Sequence, residues 1–163
     1  MRTVFATLLG MFAVEAEQDG ITRLHFPGHI PPGFRSDGEP SPLLFRARRE
    51  IREFATGERT TFALPLKPSG GDFMLKVWEV LTRTSYGDIV TYGEVAKRAG
   101  NPGAARAVGA ACRNNPIPLL IPCHRVIGAN GKLTGFYGGG LDLKRRLLEL
   151  EARGTGLFER AGP

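Results

Sequence analysis

The stretch that decides the fold reads TYGEVAKRAGNPGAARAVGAACR and covers Thr91–Arg113. Its opening threonine is followed three residues later by glutamate, a capping box that predicts a helix running to about Ala99. Gly100 suits the end of that helix. Asn101-Pro102 can cap and open a second helix over Gly103–Arg113, with proline at its first position. Two short helices joined by a tight turn predict a helix-turn-helix.

The second predicted helix can approach another surface closely, because small residues dominate it. They are Ala104, Ala105, Ala107, Gly109, Ala110 and Ala111. Arg106 is the only long side chain in its first turns. Since the second helix of a helix-turn-helix enters a groove of DNA, the pattern favours a nucleic-acid-binding surface.

The rest of the C-terminal half is also mostly helical in its pattern. Apolar residues recur at helical spacing over Asp72–Thr82 and Leu141–Ala152, which predicts one amphipathic helix on each side of the helix-turn-helix. Between them lie an apolar, proline-containing stretch at Ile117–Pro122 and a predicted hairpin turn at Gly128–Lys132.

The N-terminal half has a mixed α/β pattern. Val4–Val14 and Gly20–Phe26 are predicted strands, and Leu43–Thr56 is a predicted helix that Gly57 ends. Thr60–Leu66 is a further predicted short strand. The sequence therefore predicts an α+β protein with an N-terminal α/β domain over residues 1–67, a linker over 68–72 rich in Pro, Ser and Gly, and a C-terminal domain over 73–163.

Charge is unevenly distributed between the two halves. Residues 1–72 hold nine basic and nine acidic residues, whereas residues 73–163 hold thirteen basic and seven acidic ones, so the C-terminal part carries the whole net charge of +6. A polyanionic partner for that part and a solvated surface with a chance excess of arginine are about equally compatible with this charge.

Two cysteines, Cys112 and Cys123, are too few for a disulfide framework, and their spacing from the histidines matches no standard zinc pattern. We expect no metal and no cofactor. The apolar N-terminus is interpreted as an opening strand rather than a secretory leader, and no apolar run is long enough for a membrane span. The expected location is the cytoplasm, or the nucleus in a eukaryote.

Cys123 is followed directly by His124, a pairing that could activate a thiol. A thiol attacks as its thiolate, which an adjacent base helps to form. Neighbouring side chains on an extended segment point to opposite faces, so a proton transfer between them needs a bend, to which Pro122 contributes, or a bridging water. Glu151, Glu149 and Asp142 all remain possible partners to orient the histidine. Taken alone, the pair is equally compatible with an inert buried cysteine.

The run Pro122-Cys123-His124-Arg125-Val126 resembles the active-site signature of the O6-alkylguanine-DNA alkyltransferases, the methylated-DNA–protein-cysteine methyltransferases. The resemblance is close over residues 73–151 and holds in outline over 1–66. The flanking motifs that carry it are Phe73 with Val77-Trp78, Tyr92-Gly93-Glu94-Val95-Ala96, Gly100-Asn101-Pro102, Ala104-Ala105-Arg106-Ala107-Val108-Gly109, Asn114-Asn115-Pro116, and Gly139-Gly140-Leu141 with Lys144.

The resemblance implies a role for each catalytic position. Cys123 accepts the alkyl group irreversibly in a single turnover, His124 acts through a water as its general base, and Glu151 orients His124. Tyr92 donates a proton toward the departing guanine. Asn115 braces the turn ahead of the active-site strand.

The resemblance also implies a partner and a fold. The partner is double-stranded DNA carrying O6-alkylguanine, and O4-alkylthymine is a second expected lesion. The damaged nucleotide is flipped out after the helix-turn-helix binds the minor groove, and Arg106 fills the gap. The other expected DNA contacts are Thr91, Tyr92, Gly93, Asn101, Ala105, Arg113 and Ala129, and the expected lesion pocket is Val126, Tyr137, Gly138, Gly139 and Lys144. The expected fold is a ribonuclease H-like N-terminal domain and a winged-helix-like C-terminal domain, in a protein that is monomeric without DNA.

One departure from the family pattern concerns the glycine loop at Gly135–Leu141, which is one residue longer than usual in bacterial relatives. Two alternative functions remain open at this stage. A non-catalytic lesion-binding relative would lack the acceptor cysteine, and Cys123 argues against it. An unrelated thiol hydrolase or redox protein would need an oxyanion hole or a resolving cysteine, which Cys112 could provide only if the fold brings it close.

Overall fold

The computed structural model describes residues 1–134 and 140–154. Its N-terminal part holds an antiparallel sheet in the order β1 (Arg2–Thr7), β2 (Gly10–Ala16) and β3 (Ile21–His25). The single strand predicted over Val4–Val14 is wrong, because the chain turns back at Leu8 and Leu9.

Two local features of this turn explain the error. The Thr7 hydroxyl donates to the Gly10 carbonyl and accepts from the Leu9 amide, both at 3.0 Å. Gly10 takes φ +121°, which side chains rarely tolerate, and a Cβ there would lie 2.8 Å from Pro27. The apolar pattern runs through this turn unbroken, so periodicity could not detect it.

The predicted first helix is confirmed as α1 (Pro42–Thr56). The Ser41 hydroxyl caps it by accepting from the Leu44 amide, and Gly57 ends it at φ +81°. The strand predicted over Thr60–Leu66 is wrong. This segment makes one isolated bridge from Leu66 to Ile21, since Pro65 has no amide to donate to a ladder and the Ala63 amide donates to the Glu50 carboxylate instead.

The helices of the C-terminal half are α2 (Asp72–Thr82), α3 (Tyr92–Arg98), α4 (Ala105–Arg113) and α5 (Gly140–Gly154). The capping box at the start of α3 is confirmed. The predicted start of α4 at Pro102 is wrong, because Asn101–Gly103 form a turn that the Ala104 amide closes by donating to the Asn101 carbonyl at 3.0 Å. The indole of Trp78 donates to Ala111 O at 2.9 Å and ties α2 to α4.

A short parallel pair links the helix-turn-helix to the segment after Cys123. It joins β4 (Val90–Thr91) to β5 (Val126–Ile127). The hairpin predicted at Gly128–Lys132 is therefore wrong as a strand connection, although the Gly128 amide does close a turn on Lys132 O at 2.9 Å. β5 pairs with β4 instead, and the described residues 132–134 form no strand.

Buried apolar residues from both halves form one continuous core. The Leu24 amide of β3 donates to Pro116 O at 2.9 Å, so the N-terminal sheet also touches the segment that leads to Cys123. In the described part of the chain, no helix combines the length and apolar character needed to cross a membrane.

We expect Glu50→Ala to lower the free energy of unfolding by about 1–3 kcal/mol, because it leaves the partly buried Ala63 amide without an acceptor. Glu50 is 2 % exposed, accepts from that amide at 2.9 Å and pairs with Arg46. Urea denaturation measures the change. The matched control is Glu58→Ala, an exposed position, and equal losses in the two variants would contradict the prediction.

Candidate active site

The chain bends at Pro122, immediately before the candidate nucleophile. Pro122 has φ −80° and ψ 64°, and the Cys123 amide donates back to Ile121 O at 2.8 Å. This is an inverse γ-turn, and it leads directly into a short 3₁₀ turn over Cys123–Arg125. The bend predicted at Pro122 is confirmed, and with it Cys123 and His124 no longer lie on an extended segment.

Cys123 is a buried thiol, 2 % exposed. Burial raises its pKa to about 11, although a hydrogen bond with Asn115 and the nearby Lys144 charge act in the opposite direction. A thiol with that pKa is almost entirely protonated at neutral pH, so its reaction as a nucleophile needs a base.

His124 is fully buried and pairs with Glu151 of α5, as its Nε2 lies 2.7 Å from Glu151 Oε1. Burial lowers the pKa of His124, and this outweighs the opposing effect of the Glu151 carboxylate. The ring is therefore neutral at pH 7. Its Nδ1 is buried and has no hydrogen-bonding partner among the described residues, which leaves that nitrogen to accept a proton.

Groups other than His124 also bind the Glu151 carboxylate. Arg125 donates to it through Nε (2.9 Å) and Nη2 (2.9 Å), and the Gly87 amide donates at 3.0 Å. Burial disfavours the Glu151 carboxylate, but the hydrogen bonds from His124 and Arg125, together with the charge of Arg125, outweigh it and lower the pKa of Glu151 to about 2. Of the three acidic residues considered on this helix, the structure places Glu151 against His124.

Arg125 and Gly87 were not among the site residues predicted from the sequence. Arg125 also donates to the Thr84 carbonyl at 2.6 Å, so one buried guanidinium joins the α2–β4 connection to α5. A sequence signal did exist, since Arg125 follows His124 directly within the run that resembles the family signature. The contact with Gly87 had no such signal, because it is made by a backbone amide.

Asn115 braces the loop that leads from α4 to Cys123. Its Nδ2 donates to Ile121 O at 2.9 Å and its Oδ1 accepts from the Ile117 amide at 3.0 Å. Leu119, within this loop, takes φ +76°, a strained conformation for a branched side chain. The two bonds of one buried amide group stabilise the loop in this shape.

Tyr92 and Lys144 meet at the carbonyl of Thr134. The Tyr92 hydroxyl donates to it at 2.9 Å and the Lys144 ammonium at 3.0 Å, and Lys144 also donates to Val126 O. Burial raises the pKa of Tyr92, so the hydroxyl keeps its proton at neutral pH. Val126 is buried beside the 3₁₀ turn. Tyr137, Gly138 and Gly139 of the expected lesion pocket lie outside the described residues.

The expected DNA contacts lie on the outer surface of α3, α4 and the turns next to them. Arg106 is exposed at the start of α4 and makes no side-chain hydrogen bond within the described residues. A methyl group on Gly109 would lie 3.6 Å from Arg113 Nη1 and 3.9 Å from the Tyr92 ring, so these two side chains flank Gly109. The remaining positions are at least partly exposed: Thr91, Gly93, Asn101, Ala105 and Ala129.

The described residues contain no group of three or more His, Cys, Asp or Glu side chains that could hold a metal ion. The second thiol, Cys112, is buried in α4, and burial raises its pKa to about 12.

Comparison with known proteins identifies the class to which this fold and site belong. The sequence model described as 6-O-methylguanine DNA methyltransferase, DNA binding domain, matches residues 72–153. The methylated-DNA–protein-cysteine methyltransferase of Methanosarcina acetivorans is 41% identical over 154 residues, which cover 91% of this chain and 96% of that protein. The constitutive enzyme of Bacillus subtilis is 38% identical and covers 91% and 93%.

Solved structures agree with the sequence matches. The crystal structure of the Mycobacterium tuberculosis O6-methylguanine methyltransferase matches with a TM-score of 0.81 at 40% identity, over 97% of this chain and 99% of that chain. The structure of the M. tuberculosis protein OGT in complex with DNA matches equally well, with a TM-score of 0.81 at 40% identity over 94% and 93%. This chain belongs to the methylated-DNA–protein-cysteine methyltransferase family of DNA-repair enzymes.

We expect Glu151→Gln to lower the free energy of unfolding at neutral pH and to make that free energy depend less on pH in the acid range. The stability that comes from the lowered pKa of Glu151 is fully present when the pH is above the ordinary pKa of a glutamate carboxyl. It is lost as the pH falls from there toward 2. The variant should lose about 3 kcal/mol at pH 7, because Arg125 is left as a buried, unpaired charge.

Chemical denaturation from about pH 7 down to about pH 3 measures this effect. Wild type and the control Glu149→Gln, on the same helix, should lose stability steeply on acidification, and Glu151→Gln should lose less. An acid dependence in Glu151→Gln equal to that of the wild type would show that Glu151 is not the titrating group.

Proposed function

We propose that this protein repairs DNA by transferring the alkyl group of O6-alkylguanine to Cys123, irreversibly and once per molecule. The observation that carries the proposal is the arrangement around Cys123. It is a buried thiol at a sharp bend, followed by a neutral histidine that a buried carboxylate orients. Membership of the family and the spatial order of these residues support the same reaction.

The proposed reaction is a displacement at the alkyl carbon. The Cys123 sulfur forms a bond to that carbon while the bond from the carbon to guanine O6 breaks, and the electron pair of that bond goes to the base. The base takes up one proton and becomes guanine, and the thiol loses one. The thioether that forms is not readily displaced, so each molecule acts once.

We infer that the thiol proton passes through a water to His124. Nδ1 is the nitrogen left to accept it, because Nε2 faces Glu151. Glu151, whose pKa is about 2, stays ionised and stabilises the imidazolium that forms. This proton path makes up for the unfavourable pKa of the buried thiol.

Tyr92 is the proposed donor to the departing guanine. Its hydroxyl is protonated at neutral pH and donates to Thr134 O. The lesion would replace Thr134 as the acceptor. Lys144 would keep hold of Thr134 and Val126 during the exchange, because it donates to both carbonyls. Asn115 would keep the loop ahead of Cys123 in its strained form.

The outer surface of α3 and α4 is the proposed DNA-binding surface. The M. tuberculosis relative has been crystallised with DNA. The small side chains of α4 would allow the helix to lie in the minor groove, where readout of sequence is degenerate, and a repair enzyme needs to act at any sequence. The proposed contacts are Thr91, Tyr92, Gly93, Asn101, Ala105, Arg113 and Ala129. Arg106 would fill the space of the flipped nucleotide.

We also propose that O4-alkylthymine is a second lesion and that the protein is a monomer without DNA. We further propose a ribonuclease H-like N-terminal domain that ends at residue 67 and a winged-helix-like C-terminal domain that begins at residue 73. These proposals rest on the family resemblance and on the helix-turn-helix formed by α3 and α4.

Intact-protein mass spectrometry after incubation with a duplex containing O6-methylguanine tests the acceptor. We expect one methyl group per protein on Cys123, with no further increase at excess DNA. Cys123→Ser should gain none, whereas Cys112→Ser, a change at the other buried cysteine, should react like wild type. A methyl group on Cys112, or turnover without an adduct, would contradict the proposal.

Arg106→Ala should slow methyl transfer from the duplex by roughly tenfold to a hundredfold, since filling the base stack offsets part of a flipping cost of a few kcal/mol. Transfer from the free base O6-methylguanine should not change, because no flipping is needed. Arg145→Ala, an exposed arginine on α5, serves as the control. Rapid-quench kinetics on both substrates measures the ratio, and equal slowing on both would exclude a role in flipping.

A further inference from the structure

A second basic surface lies far along the chain from the helix-turn-helix, on the outer side of α1. Arg48, Arg49 and Arg52 line a groove of about 270 Å³ together with Phe45, which is 60 % exposed. We call these three arginines and Phe45 the α1 arginine surface. No role in the proposed alkyl transfer involves it.

Two of these guanidinium groups are held in place by the N-terminal sheet. The Arg48 and Arg52 carbons Cζ lie 6.0 and 5.6 Å from the centre of the Phe5 ring, and Arg52 Nε donates to Ala6 O at 3.0 Å. Cation–π contacts of this kind favour a guanidinium that lies against the ring over one that moves freely in solvent. The groups are therefore ordered before any ligand arrives, which lowers the entropy cost of binding one.

The positive charge of this surface is only partly balanced. Glu53 and Glu58 also line the groove. Glu53 is shared between Arg49 at 3.6 Å and Arg59 at 2.7 Å. Arg48 and Arg52 form no salt bridge with any carboxylate in the described ranges, and Arg48 Nε is buried there without a partner.

A neighbouring cation extends the surface beyond α1. Arg146 of α5 donates to Leu8 O at 3.4 Å, in the turn that follows β1, and the carbonyl of Ala6 in β1 binds Arg52. Arginines one helical turn apart repel each other, so the neighbouring charges of Arg48 and Arg52 lower the stability of the protein when no ligand is bound. An anion bound between them would remove that repulsion. Guanidinium groups match phosphate oxygens in geometry and charge.

The low apolar content of the surface favours a nucleic acid over an acidic protein. A protein interface needs a central cluster of apolar anchors, and Phe45 is the one large exposed apolar residue of α1.

We propose that the α1 arginine surface binds the phosphate backbone of a second DNA segment while α3 and α4 hold the first. This inference rests on the proposed function in one respect, that α3 and α4 bind DNA. Two such sites on one protein allow it to pass from one segment to another without dissociating, which speeds the search for a rare lesion.

The test follows dissociation of a fluorescently labelled, lesion-free duplex from the full-length protein as unlabelled duplex is added. With one site, the dissociation rate is independent of the added duplex. With the proposed second site, it rises with the concentration of added duplex, and three phosphate contacts make this transfer rate fall with salt with an exponent of roughly −2.7.

The triple variant Arg48→Gln/Arg49→Gln/Arg52→Gln should lose this acceleration. The matched control Arg2→Gln/Arg23→Gln/Arg35→Gln removes the same charge from the same half of the chain and should keep it. Thermal unfolding verifies that both variants are folded. If the first variant does not fold, Arg49→Glu, a single change at an exposed position, should reduce the acceleration.

Three results would overturn the inference. They are a rate independent of added duplex in wild type, full acceleration in the folded α1 variants, or equal acceleration by poly-glutamate, which would indicate an acidic protein partner instead. Failure of the proposed function is seen separately. Methyl transfer from free O6-methylguanine to Cys123 does not involve α1, and its absence in wild type would contradict the alkyl-transfer proposal while leaving the duplex measurement valid.

Discussion

The buried carboxylate of Glu151 is the interaction on which the rest of the site depends. It accepts hydrogen bonds from His124, Arg125 and the Gly87 amide, and these groups come from the active-site turn and from the α2–β4 connection. A buried carboxylate with fewer donors would take up a proton, because desolvation disfavours its charge. Here the donors keep it ionised, so α5 and the 3₁₀ turn are attached to each other at the point where the proposed chemistry needs a negative charge.

The same region combines stability with conformational strain. Leu119 lies in the left-handed region, and the Asn115 side chain stabilises that loop through two bonds to its backbone. Cys123 follows at a γ-turn and is buried, which raises its pKa. Each feature is unfavourable alone. Together they place a thiol directly before a neutral histidine in the chain, and in the proposed mechanism that histidine makes up for the high pKa of the thiol.

Sequence reasoning succeeded where the decisive contacts are local. The capping box of α3, the helices α1, α2 and α5 and the bend at Pro122 all depend on residues within a few positions of one another. It was wrong over Val4–Val14, Thr60–Leu66 and the start of α4. There a hydroxyl–backbone turn, a long-range bond to Glu50 and an Asn101 turn override the apolar pattern. Charge reasoning also missed a feature, because the neutral sum of residues 1–72 conceals the arginines gathered on α1.

The sequence by itself determined the family and the residues to consider, since the motifs around Cys123 occur in order along one stretch of chain. It could not choose among Glu151, Glu149 and Asp142 from the residues alone, and it did not reveal Arg125 or Gly87 as partners. The tertiary structure made that choice, because it depends on which face of α5 packs against the 3₁₀ turn, more than twenty residues away along the chain. Helical spacing defines the faces of a helix, but only packing decides which face meets the histidine.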